Sequence, residues 1–376
     1  MRLLRRTARR NVMQSLAMAV AGALLGAGVV AWQAGVPPFA DDPCWDSVTD
    51  RELGDLFGDW DIKSAETEPT WTREASHGSG RLDGRCRVMA YGDDNRGGQV
   101  DIRVHGLEGR SGGGVLWSDE YLSSRLTPMG DGLLGMASDT RAWVVLPADC
   151  VKPDPFEGPA VVDVALGAGE IPASIDPDRR ADHQQALART AVNAANGAMA
   201  RLGCTGSLPG PGELTMVPEA RTAPGGRELC GLKGVRLPKA LADSEIRTRA
   251  TAGTGSPVRT CEVFPTYDVH ALFRLQTVEK SELTGAFSAA VLDTGPSVES
   301  PDAPELSGSF SPALAAVRVE CADDDVHVFL AQQYDSLALG NGGTARYTFV
   351  RDVFPAYVAA EAERLGCGPL RIRLPD

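Results

Sequence analysis

Lysine is scarce in this chain, tryptophan stops at Trp143, no acid precedes Asp41, and no two cysteines or histidines sit at the short spacing a metal site uses. Each shortage excludes something. Of 37 basic residues only Lys63, Lys152, Lys233, Lys239 and Lys280 are lysines, and five arginines, Arg2, Arg5, Arg6, Arg9 and Arg10, crowd the start. Beyond them stand 32 basic residues against 50 acids, a formal net charge of −18. That balance argues against a nucleic-acid partner, because binding phosphates needs cationic side chains to displace counterions. With no CxxC or CxxxC pair a zinc site fails on spacing. None of the five histidines, His77, His105, His183, His270 and His327, stands in an HxxH or HExxH pattern. His105, His270 and His327 fall in strand-like runs and are expected to be satisfied within a sheet.

Other patterns fall short of chemistry in the same way. Ser79 lacks the GxSxG spacing of a nucleophile turn. The run Gly109-Arg110-Ser111-Gly112-Gly113-Gly114 is followed by no lysine and is expected to lead into no helix, so it is a loop rather than a phosphate cradle. Asp93-Asp94-Asn95 and Asp323-Asp324-Asp325 are contiguous, whereas a calcium loop spaces its ligands and closes with a bidentate acid. No catalytic residue, metal or cofactor is assigned, and the chain is not read as an enzyme.

What is present begins with an anchor. Residues 13–32 carry no charge, and a helix of that length spans roughly 30 Å of hydrocarbon. Five arginines before it hold the N-terminus on the cytoplasmic side, so residues 1–12 form a cytoplasmic arm, 33–43 a linker, and the rest lies outside the cell membrane. A cleaved signal peptide is the rival reading. Gly22 and Gly26 form a GxxxG, a candidate contact between membrane helices.

Eight cysteines follow, Cys44, Cys86, Cys150 and Cys204, then Cys230, Cys261, Cys321 and Cys367, and in both sets the intervals run short, long, medium. The fourth cysteine of each set ends an Arg-Leu-Gly-Cys, at 201–204 and 364–367. Together these indicate duplication, with one copy over 44–208, a Pro- and Gly-rich linker over 209–229 and a second copy over 230–376. Outside the membrane the cysteines are expected to pair. Four per copy allow three connectivities. The favoured one is Cys44–Cys86, Cys150–Cys204, Cys230–Cys261 and Cys321–Cys367, because strand end and helix end must be neighbours if the helix lies on the sheet.

The elements repeat too. Runs 87–91 and 99–106 read as a hairpin, RAWVVLPADC and AVVDVAL as strands in the first copy, AAVRVEC and VHVFLAQQ as strands in the second. Helices are expected at 181–202 and 347–365, capped by Gly203 and Gly366. Thr49 and Glu52 form a capping box that starts a short helix. The fold class is therefore α+β: after the transmembrane helix, two tandem small domains, each an antiparallel sheet with a C-terminal helix packed on it. Trp60 and Trp71 flank a polar stretch and are the candidate partner surface.

The anchor, the pattern Cys44, Leu53, Leu56, Phe57, Gly58, Cys86, and the paired Arg-Leu-Gly-Cys endings resemble the single-pass, membrane-anchored extracytoplasmic proteins of actinomycetes, whose cysteine-bearing envelope domains have no assigned function. The resemblance implies the compartment and brings no catalytic residues. The expected role is a binding or scaffold protein of the bacterial envelope, held by residues 13–32, with an envelope protein as partner. The alternatives are a hydrolase whose site is assembled from distant strands, and an accessory subunit of a membrane secretion or sensing complex.

Overall fold

The computed structural model describes residues 42–73, 80–92, 97–107, 113–151, 158–167, 177–216, 220–222, 228–241, 245–266, 271–292, 295–321, 325–334 and 349–375. The expected membrane span at 13–32, with Gly22 and Gly26, lies outside them. Among the described residues no helix is long and apolar enough to cross a membrane.

The first copy runs α1 (Pro43–Asp46), α2 (Asp50–Phe57), β1 (Asp61–Arg73), β2 (Gly80–Tyr91), β3 (Gly97–Gly106), α3 (Gly113–Tyr121), β4 (Thr127–Pro128), β5 (Gly135–Ala137), β6 (Arg141–Val145), β7 (Ala160–Leu166) and α4 (Pro177–Arg201). The second runs β8 (Arg221–Thr222), β9 (Ile246–Ala250), β10 (Val258–Pro265), β11 (Phe273–Val278), a 3-10 turn Ser281–Phe287 leading into α5 (Ser288–Val291), β12 (Ser307–Phe310), β13 (Leu314–Glu320), β14 (Val326–Gln333) and α6 (Phe349–Leu365). Two seven-stranded antiparallel sheets result, ordered β1-β2-β3-β7-β6-β5-β4 and β8-β9-β10-β11-β14-β13-β12. Strands β1, β2, β3, β7, β6 and β5 thus correspond one for one to β9, β10, β11, β14, β13 and β12.

Local chemistry explains the ends of these elements. Thr49 Oγ1 accepts from the Glu52 amide while the Glu52 carboxylate accepts from the Thr49 amide, which closes the capping box and starts α2. At the other end of each copy, Gly203 (φ 73°) and Gly366 (φ 78°) take the left-handed turn that a side chain resists. The next amide, of Cys204 or Cys367, then donates back to Met199 or Ala362 at 2.9 Å. The turn carries the cysteine to the strand-end cysteine, and the bonds are Cys150–Cys204 and Cys321–Cys367. The first cysteines bond to the second strands, as Cys44–Cys86 and Cys230–Cys261. Both Cys44 (φ 59°) and Cys230 (φ 50°) are themselves left-handed, an unusual state for a residue with a Cβ, and its recurrence is a further mark of duplication.

The copies are not beads on a tether. Pro43–Asp376 is one compact unit. Helix α4 packs on one face of the first sheet and α6 on one face of the second, each over its own core. A third core lies between the copies, where Trp117, Tyr121, Met136, Trp143 and Val161 meet Val258, Leu283, Phe287, Ala316 and Leu330. Gly158 marks the closeness: a Cβ there would fall 2.6 Å from Leu107 Cβ and 2.9 Å from Ala286 Cβ. The supposed linker over 209–229 is also docked where it is described. Gly212 donates to Met129 at 2.9 Å, Gln184 donates to the Thr215 carbonyl at 3.1 Å, and Arg221–Thr222 joins the second sheet as β8.

One expectation is corrected, and one segment that was given no element gains one. A helix, α3, does begin at Gly113, within the last two residues of the glycine-rich run. The polar stretch between Trp60 and Trp71 is a strand, β1, whose charges suit the sheet edge it occupies. A core-facing stripe is what strand reading looks for, and an edge strand with mostly exposed side chains lacks one.

Candidate functional site

The outer face of the first sheet, opposite α4, changes character along its width. Towards β6 and β5 it is apolar and buried against the second copy, with Trp143, Met136 and Val161 in the shared core. Towards β1, β2 and β3 it is charged and open. Alternation dictates which residues stand there: Leu82, Cys86, Val88, Ile102 and Val104 turn inward, so Arg85, Arg87, Met89, Tyr91, Gln99, Asp101, Arg103 and His105 turn outward.

Two carboxylates organise these cations. Asp101 Oδ1 accepts from Arg85 Nη2 at 2.7 Å and from Arg87 Nε at 3.0 Å, and its other oxygen accepts from Gln99. Asp163 on β7, wholly buried, accepts from Arg103 Nε and Nη2 at 3.0 and 3.1 Å, a bidentate pair, and from the Tyr121 hydroxyl at 3.2 Å. His105 Nε2 lies 2.6 Å from its Oδ2. Burial by itself would raise the Asp163 carboxyl, but the His105 hydrogen bond and the charges of His105 and Arg103 hold it below the usual carboxylate range. Burial and the Asp163 charge push the Tyr121 phenol up, so it remains a donor.

Arg85 stands directly opposite Arg103 across β2 and β3. Like charges facing across strands oppose pairing, and two acids serve three guanidiniums here. The arginines stay open to solvent, with side-chain exposures of 50% for Arg85, 40% for Arg87 and 46% for Arg103. Lys63 on β1 lies 5.4 Å above the ring of Tyr91, which is itself 45% exposed. Arginine, tyrosine and methionine together form a surface of the composition found at protein interfaces.

The corresponding face of the second copy is closed. Cys86 pairs with Ile102 and Cys261 with Leu275, so one position further on Arg87 faces Asp101 in the first copy and Glu262 faces Arg274 in the second. The pair recurs with its polarity reversed. On the second copy it is covered by residues 118–124 of the first. Arg274 donates to the carbonyls of Ser118 and Asp119 at 3.1 and 3.2 Å, Thr260 and Gln276 donate to that of Leu122 at 2.6 and 2.8 Å, and Glu262 accepts from the Ser124 amide and hydroxyl.

The sites expected from sequence fall elsewhere or apart. Trp60 stacks on Phe57 before β1 begins, with centroids 6.4 Å apart, whereas Trp71 lies near its far end, roughly 35 Å of strand away. Trp71 pairs with Leu82 and so shares the inner side of the sheet, not the charged one. The two do not form one surface. His77, Ser79, His270, Asp93-Asp94-Asn95, Asp323 and Asp324 lie outside the described residues. His327 is buried within 4.8 Å of the sulfurs of Cys321 and Cys367, but those sulfurs are bonded to each other and offer no thiolate to a metal. For His105, one ring nitrogen faces Asp163 and the other the Gly106 carbonyl at 3.0 Å, so neither is turned to a substrate. The open face went unread because its arginines carry no motif; the signal available was the alternating Arg85-Cys86-Arg87 opposite Asp101-Ile102-Arg103. No family model matches this chain, nor does any curated protein or solved structure.

Proposed function

We propose that this chain is an extracytoplasmic binding protein of a bacterial envelope, anchored through residues 13–32, that holds an envelope protein on the open face of its first sheet. The observation that carries the reading is the difference between equivalent faces: one is covered by the neighbouring copy, and the other presents Arg85, Arg87, Arg103, Lys63, Met89 and Tyr91 to solvent. Four disulfides support an oxidising compartment. The ion pairs on Asp101 and Asp163 fix the arginines before a partner arrives, which lowers the entropy lost on binding. The two copies pack against each other through a shared core within one compact unit.

The test is a photoreactive side chain placed at Tyr91 and, separately, at Arg371, an exposed residue of the second copy, followed by irradiation of intact cells. A discrete crosslinked protein from position 91 and not from 371, lost when Arg87→Glu is added, is the expected result. The same products from both positions, or none from 91, would reject the open face as the binding surface.

A further inference from the structure

A second set of cations gathers where the copies meet, and it is less well served by acids. On β9, Arg247 stands opposite Phe264 and Arg249 opposite Glu262. Their guanidinium carbons lie 5.6 and 5.2 Å from the centroid of the Phe264 ring, so one buried aromatic underlies two cations. Arg125, the residue after the segment of the first copy that covers this sheet, is close enough for its charge to bear on Arg249.

The acids nearby are already engaged. Glu262 is held by Arg274 at 2.6 Å and by Ser124, and Asp139 takes both its contacts from Arg125 at 3.2 Å. Among the described residues no carboxylate lies within 4.0 Å of Arg247 or Arg249. Arg247 reaches one carbonyl, that of Thr266, while the Nε atoms of both arginines are buried without an acceptor. Buried donors left unmatched are costly, and planar guanidinium forks are matched best by the paired oxygens of an oxyanion.

The other perturbed arginines sharpen the contrast. Arg103, Arg274, Arg364 and Arg371 all hold their protons more tightly than usual because carboxylates face them. Arg249 moves the opposite way, first through burial and then through the charge of Arg125.

We infer that Arg125, Arg247 and Arg249 form an oxyanion site at the junction of the two copies, taking a phosphate or carboxylate group of a small molecule against the cations stacked on Phe264. Occupancy would tie the first copy to the second copy's sheet, because the site draws on both.

The test uses the full chain purified from membranes in detergent and chloride buffer, titrated calorimetrically with inorganic phosphate and, in a second series, with succinate. Saturable one-site binding of either probe is expected, weakened at least tenfold by Arg249→Met and by Arg247→Met and unchanged by Arg371→Met. The probe that binds names the class of anion. No saturable heat with either probe, or equal affinity in wild type and Arg249→Met, would overturn the site. In phosphate-free buffer Arg249→Met is expected to melt no lower than wild type, because the charge removed is one its surroundings oppose; a lower midpoint together with lost binding would make Arg249 structural and overturn the assignment.

Discussion

At one position the two copies hold the same ion pair in opposite settings. In the first copy Arg87 and Asp101, with exposures of 40% and 17%, lie on the open face; in the second Glu262 and Arg274, with exposures of 8% and 6%, lie beneath a segment of their neighbour. Chemistry and backbone register are shared, so burial decides what each pair is for. The exposed pair, screened and hydrated, adds little to stability and remains available to a ligand. The covered pair is a structural clamp whose parts are nearly inseparable, since removing one charge strands the other in a dry interface.

The largest effect expected from breaking this comparison is at the clamp. Glu262→Gln keeps the shape but leaves Arg274 without its main counter-charge, and should cost about 3–5 kcal/mol in urea unfolding. Asp101→Asn at the equivalent place should cost under about 1 kcal/mol. Equal losses in the two variants would show that both faces are structural. A smaller effect, about 1–3 kcal/mol, is expected from Gly158→Ala, which forces Leu107 and Ala286 apart in the core between the copies. If thermal unfolding then splits into two transitions, the copies can fold separately; a single lowered transition would mean they cannot.

Acid should discriminate the two regions least in size but most cleanly in origin. Burial opposes the charged forms of Glu262 and Asp163, yet Arg274 on the one and His105 and Arg103 on the other keep both carboxyls below their usual range. Their folded values lie below the unfolded ones near 4, so the stability they contribute is complete above about pH 5 and is lost as pH falls through the depressed values. Unfolding free energy measured between pH 7 and 3 should therefore fall towards acid, and the fall should be shallower in Glu262→Gln and in Asp163→Asn. An unchanged slope in both variants would assign the acid sensitivity to other carboxyls.

Much of the local structure was legible because it depends on near neighbours. Thr49 and Glu52 announce their helix, Gly203 and Gly366 announce two helix ends, and the short apolar runs AVVDVAL and VHVFLAQQ announce β7 and β14. The cysteine intervals and the twin Arg-Leu-Gly-Cys endings revealed the repeat, and its strand order agrees in both copies. Strand β1 escaped notice because an exposed edge needs no apolar stripe, and the pairing of Trp60 with Trp71 failed because a strand separates them.

The sequence by itself determined the duplication and the helix caps, since each is written in residues that stand within a few positions of one another or repeat at a common interval. Only the tertiary structure decided that the two copies share a core, and that one charged sheet face is closed while its equivalent is open. That decision rests on contacts such as Arg274 to Ser118 and Ser124 to Glu262, which join residues more than a hundred positions apart. A charge in a sequence is the same letter whether water or a neighbouring segment surrounds it, and its energetic meaning is set by which of the two the fold supplies.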